Sequence, residues 1–228
     1  AARVALPRRQ LLPQPGPFWG TKLSRDGQKI AFARGGRGER PRIFVVPFAG
    51  GSAQPVTPPE YASWRPSWSP EGERLAYASN ASGADEIWLM DAAGENRRQL
   101  THGGDAEDPA WSPDGKWIAY GMKAGRDWHL WVISAAGGEP RQLTNRSGAA
   151  WGANWSPDSR NVVFMANWPD GQGSKKIWVV PLAGGEPRQL TSGSAPDDQP
   201  AWSPDGCWIA FTSKRSGNWD LWVMPAEG

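Results

Sequence analysis

The sequence predicts an all-β fold, a five-bladed β-propeller with four antiparallel strands in each blade. Three observations lead to this prediction. One motif returns five times along the 228 residues, Gly and Pro are frequent with 28 and 22 copies, and helical periodicity is absent over any useful length. A repeat of about 40–50 residues built from short strands is typical of propellers, in which each unit forms one blade.

The repeated motif consists of a strand, a tight turn and a second strand. It reads AWSPDGKWIAY from Ala110 and AWSPDGCWIAF from Ala201, with looser copies elsewhere. In the turn, Pro restricts φ, Asp bonds its own backbone, and Gly adopts positive φ. The motif serines are 45, 43, 44 and 47 residues apart, at Ser24, Ser69, Ser112, Ser156 and Ser203.

Each unit contains four strand-like runs, which we name strands A to D. In the third unit, strand B is aromatic and β-branched, as half-buried strands prefer, and a Gly-Gly pair turns the chain from strand C into strand D. The four runs are expected near residues 108–112, 117–122, 130–134 and 140–144. The blades are predicted at about 18–57, 62–101, 105–144, 149–191 and 196–225.

The two ends of the sequence complement each other. The fifth unit reaches strand C and lacks the Arg-Gln-Leu-Thr pattern that forms strand D in other units. The segment Arg8-Arg9-Gln10-Leu11-Leu12 resembles that pattern. An open propeller would expose strand edges, so we expect residues 7–12 to pair with the last strand C, complete blade 5 and close the ring.

Composition excludes several classes of partner. The formal net charge is +2, which provides no electrostatic basis for binding nucleic acid. No apolar run reaches the ~18 residues of a membrane span. Cys207 is the single cysteine, so an internal disulfide cannot form, and both cytoplasmic and periplasmic locations remain open.

Motifs of catalysis and of cofactor binding are missing from the sequence. His102 and His129 are the only histidines, and the metalloprotease, Cys-x-x-Cys, phosphate-loop and dinucleotide patterns are absent. The acidic run of Asp105, Glu107 and Asp108 could suggest calcium, but such carboxylates also bond the amides of turns, which is the interpretation we favour. We therefore predict no catalytic residue, no metal and no cofactor.

The sequence contains 16 Trp, an unusually high number. Ten of them stand at repeated positions, where we expect them to fill the space between blades. On strand A they immediately precede the motif serine; the others begin strand B or lie within strand C. These ten are Trp68, Trp111, Trp155, Trp202, Trp117, Trp208, Trp88, Trp131, Trp178 and Trp222.

The six other Trp are candidates for ligand binding. Trp19, Trp64 and Trp151 come four residues before the last residue of strand A, where units three and five have Glu107 and Asp198. Because an antiparallel meander brings the start of A and the end of B to one end of the blade, all six are expected on one face. Exposed aromatics with nearby polar groups are typical of recognition sites for sugars, peptides or cations. The three remaining Trp of this set are Trp128, Trp168 and Trp219, and the candidate ligand-binding residues also include Glu107, Asp198 and Arg65. The alternative is that these indoles fill the central channel or pack beneath loops.

The motifs resemble those of a known repeat. Pro-x-Trp-Ser-Pro-Asp-Gly, an Ile-Ala-Phe/Tyr strand, Ile/Leu-Trp-Val and Arg-Gln-Leu-Thr are similar to the TolB-type, WD40-like propeller repeat, also called PD40. The resemblance covers residues 7–228 and implies a scaffold or recognition role, with a periplasmic or extracellular location. Related repeats form the propeller domains of prolyl-oligopeptidase-family peptidases, but no Gly-x-Ser-x-Gly nucleophile elbow is present here, so no catalytic residue is transferred.

Three functions remain open at this point. The first is a non-catalytic binding scaffold that holds a peptide, protein or saccharide at its Trp-rich face. The second is a stand-alone relative or fragment of a prolyl-oligopeptidase propeller domain. The third is a purely structural or engineered propeller without a natural ligand. The oligomeric state also remains open.

Overall fold

The fold is all-β, as predicted. The computed structural model describes Gln10 and residues 17–36, 38–169, 171 and 173–228. Within these residues the strands form five antiparallel sheets, in which each strand pairs with its neighbours in the chain. The five-bladed propeller is thereby confirmed. The described part of the chain contains no helix that is long and apolar enough to cross a membrane.

The strand bounds follow the five repeats. Blade 1 contains β1 (Phe18–Leu23), β2 (Lys29–Arg34), β3 (Arg42–Pro47) and β4 (Gln54–Pro55). Blade 2 contains β5 (Ser63–Trp68), β6 (Arg74–Ser79), β7 (Glu86–Asp91) and β8 (Arg98–Gln99). Blade 3 contains β9 (Ala106–Trp111), β10 (Trp117–Ala124), β11 (Asp127–Ser134) and β12 (Arg141–Gln142). Blade 4 contains β13 (Ala150–Trp155), β14 (Asn161–Ala166), β15 (Lys176–Pro181) and β16 (Arg188–Gln189). Blade 5 contains β17 (Asp197–Trp202), β18 (Trp208–Ser213) and β19 (Asp220–Pro225).

Four blades have all four strands, and the described part of blade 5 has strands A to C. The predicted closing strand, residues 7–12, lies outside the described residues except for Gln10. It remains a prediction.

The turn between strands A and B is held by side-chain hydrogen bonds. In blade 3 the Ser112 hydroxyl donates to Asp114 Oδ1 at 2.6 Å, and the same oxygen accepts from the backbone N–H of Lys116 at 3.0 Å. The N–H of Trp117 donates to Ser112 Oγ at 2.9 Å, and Gly115 has a φ of 75°. The Ser-Pro-Asp-Gly motif therefore forms a self-bonded turn that brings strand B back beside strand A.

The Arg-Gln-Leu-Thr motif forms the outer strand of a blade and links it to the next. In blade 2, the N–H of Ile87 on strand C donates to Thr101 Oγ1 at 2.9 Å, and Gln99 Nε2 donates to the carbonyl of Thr101 at 2.8 Å. Arg98 reaches the carbonyl of Ala135 in blade 3. Only two residues of the outer strand pair with strand C, so side-chain hydrogen bonds hold it in place as much as the backbone pairing does.

The repeated Trp residues lie between blades, with one exception. Trp68, Trp111 and Trp155 on strand A are buried, and most of the others are buried or half-buried. Trp208 is 49% exposed. Our packing prediction fails there because Trp208 lies on the face of blade 5 that points away from blade 4, where no described neighbour covers it.

Candidate functional site

Five residues occupy one equivalent position, the second residue of each strand A. We call them the rim; they are Trp19, Trp64, Glu107, Trp151 and Asp198. Each pairs with strand B near its end, as in Trp64 opposite Ala78 and Trp151 opposite Met165. Consecutive strands A also contact one another from blade 1 through blade 5, so they are the inner strands. The rim therefore lies at one end of the blades, close to the centre of the molecule.

A β-bulge follows every rim residue. The next residue has positive φ in all five blades: 59° at Gly20, 54° at Arg65, 54° at Asp108, 69° at Gly152 and 51° at Gln199. The strand register shifts at the same place in each blade. Three of these residues are not glycine, and positive φ costs such residues on the order of 1–3 kcal/mol. The scaffold maintains this geometry near the start of every strand A, with strain in the three blades where the residue is not glycine.

Two bulge residues form an ion pair across neighbouring blades. Arg65 Nε of blade 2 lies 3.1 Å from Asp108 Oδ1 of blade 3. Burial nevertheless raises the pKa of Asp108 above its ordinary value, against the lowering effect of Arg65 and Lys22. The guanidinium therefore compensates only part of the cost of placing this carboxylate at the inner end of the blade.

Glu107 lies in an environment rich in carboxylates. Burial raises its pKa, and repulsion from Asp108, Asp85 and Asp105 adds to that effect more than Arg65 offsets it. The pKa of Asp85 is raised by burial and by repulsion from Asp105 and Glu86. In this sector of the rim, between blades 2 and 3, Asp108 pairs with Arg65 and Asp105 with Lys123, whereas Glu107 and Asp85 have no ion pair among the described residues.

The matching sector between blades 4 and 5 contains its own cation. Lys175 Nζ lies 5.3 Å from the ring centroid of Trp151 and 3.0 Å from Asp198 Oδ2. An indole face and a carboxylate hold one ammonium group here, which is the arrangement expected of a cation–π site with an ionic partner.

A second buried carboxylate in blade 5 is neutralised internally. Asp197 lies 3.0 Å from Arg215 Nη2 and 3.7 Å from Lys176 Nζ. Burial would raise its pKa, but hydrogen bonds from Ser213, Thr191 and Arg215 lower it below the ordinary value. Arg215, which lies on the same face, therefore has a structural partner.

The six non-repeated Trp residues differ in exposure. Trp19 and Trp219 are 47% and 48% exposed, and Lys214 Nζ lies 5.4 Å from the ring of Trp219. Trp64, Trp128 and Trp151 are half-buried. These five indoles present part of their surface at the end of the blades that carries the rim.

Trp168 does not belong with the other candidates. It is only 7% exposed, and its ring meets Phe164 and Trp178 edge-on at centroid distances of 5.5 and 5.0 Å. The guanidinium carbon of Arg146 lies 5.4 Å from the ring centroid of Trp168 and 5.3 Å from that of Trp178, so this side chain covers both indoles. As a member of the core between blades 3 and 4 it packs rather than presents a surface, so the expectation that it binds ligand is withdrawn.

Sequence reasoning named Arg65 as a candidate but missed the bulges themselves and Lys175. A signal for the bulge was present, because Trp-Gly occurs at the same repeat position in blades 1 and 4, as Trp19-Gly20 and Trp151-Gly152. Lys175 gave no signal of this kind, since its importance depends on its contact with a blade other than its own.

A cavity of about 500 Å³ lies beside the strand B–C loop of blade 1. Arg34, Glu39, Arg42 and Phe44 are among its lining residues. A second cavity, of about 660 Å³, is lined by turn residues of blades 4 and 5, including Asp158 and Asp205. None of the rim residues lines either of these two cavities, so the rim offers an open surface rather than part of these pockets.

Comparison with known proteins identifies the repeat. Residues 9–156 and 109–228 match the PD40 family, described as the TolB beta propeller domain. A 66-residue stretch is 33% identical to a protein TolB homolog of Protochlamydia amoebophila, covering 27% of this chain and 14% of the relative. The match with this curated relative is therefore confined to about a seventh of its length.

Solved structures share the fold at lower identity. The structure of a putative TolB from Agrobacterium tumefaciens superposes with a TM-score of 0.82 and 23% identity, covering 96% of this chain and 81% of that one. A puromycin-hydrolyzing peptidase of Mycobacterium tuberculosis superposes with a TM-score of 0.73 and 18% identity, covering 95% of this chain and 38% of the peptidase. At these identities the likeness concerns the fold alone.

Proposed function

This chain belongs to the PD40 family of TolB β-propeller domains, and on that basis we propose that it is a non-catalytic binding scaffold. Its ligand is a peptide or protein segment that presents an ammonium group, such as a lysine side chain. The binding site comprises Trp64, Glu107 and Asp85, with Trp19 and Trp128 as flanking surfaces. By family resemblance, the proposed location is periplasmic or extracellular.

One observation carries this proposal: two sectors of the rim are equivalent in register, and one of them already holds a lysine. In blades 4 and 5, Trp151 and Asp198 hold the ammonium of Lys175. In blades 2 and 3, Trp64 and Glu107 stand at the same two positions, one residue before their bulges. An indole followed by a carboxylate in the next blade is therefore repeated around the ring.

The two sectors differ at the position of the lysine. Lys175 directly precedes strand C of blade 4, and Asp85 directly precedes strand C of blade 2. Blade 2 thus supplies a carboxylate where blade 4 supplies an ammonium. The pKa of Glu107 is raised by burial and by its acidic neighbours, because Arg65 offsets only part of the repulsion and Glu107 has no ion pair of its own among the described residues. A cation from outside would relieve that repulsion.

The mechanism is recognition on a preformed surface. The strained bulges and the Arg65–Asp108 ion pair orient the inner ends of strands A before any ligand arrives. A lysine would place its ammonium between the carboxylates and its methylene groups against the indole of Trp64. Little ordering of the protein is then required, which preserves affinity.

A titration with matched variants tests the proposal. The probes are a lysine-rich peptide, tetramethylammonium and a neutral oligosaccharide, followed by tryptophan fluorescence and calorimetry. We expect the peptide and the quaternary amine to bind. Glu107→Gln should weaken binding about tenfold, whereas the matched variant Asp198→Asn should change it little, because Lys175 already occupies that sector.

Other outcomes would contradict the proposal in different ways. Binding of the oligosaccharide alone would assign the surface to carbohydrate. If the Glu107→Gln variant binds the cationic probes as tightly as the unsubstituted protein does, the proposed site is wrong. The absence of any response would support the purely structural role.

A further inference from the structure

The first residue of strand B covers the tryptophan that ends strand A of the following blade. Lys29 begins strand B of blade 1, and its Nζ lies 6.0 Å from the ring centroid of Trp68 in blade 2. Arg74 is the equivalent residue of blade 2, and its guanidinium carbon lies 4.8 Å from the ring centroid of Trp111 in blade 3. The first two interfaces between blades therefore each place a cation over an indole.

The guanidinium of Arg74 is also bound by a carboxylate of its own turn. Arg74 Nε and Nη2 donate to Glu71 Oε1 at 3.0 and 2.9 Å. Glu71 stands two residues after the motif serine, at the turn position that is aspartate in the other four repeats. The interface between blades 2 and 3 thus holds one guanidinium group between an indole and a turn carboxylate.

The covering residue is different in the next two interfaces. In blade 3 it is Trp117, which packs against the core cluster that contains Trp155. In blade 4 it is Asn161, whose side chain is short and uncharged. Trp202 of blade 5 is accordingly half-buried, whereas the three indoles at the same position in blades 2 to 4 are at most 8% exposed.

The cavity of about 660 Å³ between blades 4 and 5 lies at this short side chain. Asn161 and Trp202 both line it. Its acidic lining residues, all exposed, are Asp158, Glu186, Asp205 and Glu227. The lining also contains Arg188, whose Nη1 donates to the backbone carbonyl of Glu227 at 2.5 Å. Carboxylates therefore outnumber cations around an accessible indole.

Asp158 is the turn carboxylate of this interface and the equivalent of Glu71. The Ser156 hydroxyl and the Arg160 N–H both donate to its Oδ1, at 2.6 and 3.0 Å, and these bonds lower its pKa. The group is therefore ionised at neutral pH, and its second oxygen remains for another donor. An indole and a carboxylate thus occupy the same two positions as between blades 2 and 3, while Asn161 supplies no cation.

We propose that this cavity binds a guanidinium group, presented by an arginine side chain or by a small guanidino compound. The group stacks on the indole of Trp202 and donates to Asp158. Arg74 makes the same two kinds of contact two interfaces earlier. Guanidinium is preferred to ammonium because its plane lies flat on an indole and its N–H groups fit a carboxylate. Because the A–B turn follows strand A, the cavity lies at the end of the blades opposite the rim and is a separate site.

Calorimetry with uncharged-end probes tests the proposal. The probes are acetyl-Gly-Arg-Gly-amide, acetyl-Gly-Lys-Gly-amide and ethylguanidine, titrated into the Glu107→Gln protein so that the rim contributes little. We expect a single site that binds the arginine peptide at least about fivefold more tightly than the lysine peptide and weakens as salt increases. If ethylguanidine binds as well as the arginine peptide, a small guanidino compound suffices as ligand. Tighter binding of the peptide assigns the site to an arginine within a chain.

Reciprocal substitutions exchange the covering residues. Asn161→Arg supplies the cation from within the chain, so binding should be lost and the melting temperature should rise by about 1–3 °C. The matched control Asn161→Ala leaves the cavity open and should keep the affinity within about twofold. Arg74→Asn uncovers Trp111 and should add a second site with the same preference for arginine. If Arg74→Asn does not fold, the two Asn161 variants decide the matter by themselves.

Several results would overturn the proposal. Unchanged binding of the arginine peptide by Asn161→Arg would place the ligand outside this cavity. Equal affinity for the arginine and lysine peptides would show attraction by charge alone rather than a guanidinium site. No binding of either guanidinium probe would show that the cavity takes no ligand of this class. Binding that is lost in Glu107→Gln but complete in Asn161→Arg would assign arginine to the rim, which separates this proposal from the one above.

Discussion

The indole Nε1 of Trp155 donates a 2.9 Å hydrogen bond to the backbone carbonyl of Ala110 in the preceding blade. Trp68 makes the same bond to Lys22 at 3.0 Å. The pattern changes at Trp111, where the backbone N–H bonds to Ser67 Oγ at 3.0 Å and the buried indole nitrogen has no partner. At this interface Ser67 of the preceding blade bonds the backbone of Trp111, and the indole hydrogen bond seen at Trp68 and Trp155 is absent.

This difference predicts unequal costs for two chemically identical substitutions. Trp155→Phe removes a buried hydrogen bond as well as volume, whereas Trp111→Phe removes volume together with an unpaired buried N–H. We expect Trp155→Phe to lower the free energy of unfolding by about 1 kcal/mol more than Trp111→Phe. Urea denaturation of both variants measures the difference, and equal losses would show that the indole bond contributes nothing.

Asp158 predicts a pH dependence of stability. A hydrogen bond from the Ser156 hydroxyl and another from the Arg160 N–H hold its pKa below the ordinary value. Folding therefore favours the carboxylate, so its contribution is present above the unfolded pKa of about 3.9 and is lost as pH falls through the folded pKa.

Asp158→Asn should accordingly lower the melting temperature at pH 7 by about 1–3 °C and flatten the loss of stability below about pH 4. Urea midpoints between pH 7 and pH 2.5 measure this. Glu139→Gln serves as the control, because the Glu139 carboxyl is exposed and accepts no such hydrogen bond from the described residues. If the stability of Asp158→Asn falls below pH 4 as steeply as that of the unsubstituted protein, Asp158 is not a source of the pH dependence.

Glu107 predicts a pH dependence of opposite sign. Burial and then the neighbouring carboxylates raise its pKa, so folding favours the protonated form and the ionised form destabilises the fold near neutral pH. Glu107→Gln should raise the melting temperature at pH 7 by about 1–2 °C, and the gain should disappear as the pH falls to about 4.

Together with the binding titration, this variant separates stability from function. A more stable protein that binds cations less well would indicate that Glu107 is retained for its charge. A variant that is less stable at pH 7 would instead show that the carboxylate has an unrecognised stabilising partner.

Two Trp residues on the same end of the blades should respond very differently to truncation. Trp168→Ala removes a buried ring packed on Phe164 and Trp178, and we expect a loss of about 3–5 kcal/mol. Trp219→Ala removes a half-exposed ring, and we expect a loss of about 1 kcal/mol or less. Denaturant unfolding compares them, and similar losses would show that exposure does not distinguish the two indoles.

The repeat allowed most of the fold to be predicted. Ser112, Asp114 and Gly115 form their turn through bonds that span at most five residues, so local chemistry alone specifies where strand A ends and strand B begins. The Gln of the strand D motif acts just as locally, while the Thr bonds to strand C of its own blade, 14 residues away. Five copies of such signals in one order predict five blades in that order.

The candidate site was only partly predictable. The shared position of Trp19, Trp64, Glu107, Trp151 and Asp198 follows from register. Whether each indole is exposed does not, because burial depends on which side chains pack on the ring, and these lie on other strands or, as with Arg146, 22 positions away in the chain. Trp168 and Trp219 occupy similar loops, yet Trp168 packs on Trp178 and is covered by Arg146, while Trp219 remains 48% exposed with Lys214 over its ring.

The amino-acid order by itself therefore determined the architecture of the blade, its repetition and the position of the rim, because these depend on short-range turns and on two-residue alternation. Only the tertiary structure decided that Lys175 fills one sector of the rim while Asp85 adds charge to another, and that Trp202 borders a cavity where Trp111 is covered by Arg74. These properties arise from contacts between one blade and the next, whose packed surfaces are assembled from residues about one repeat apart.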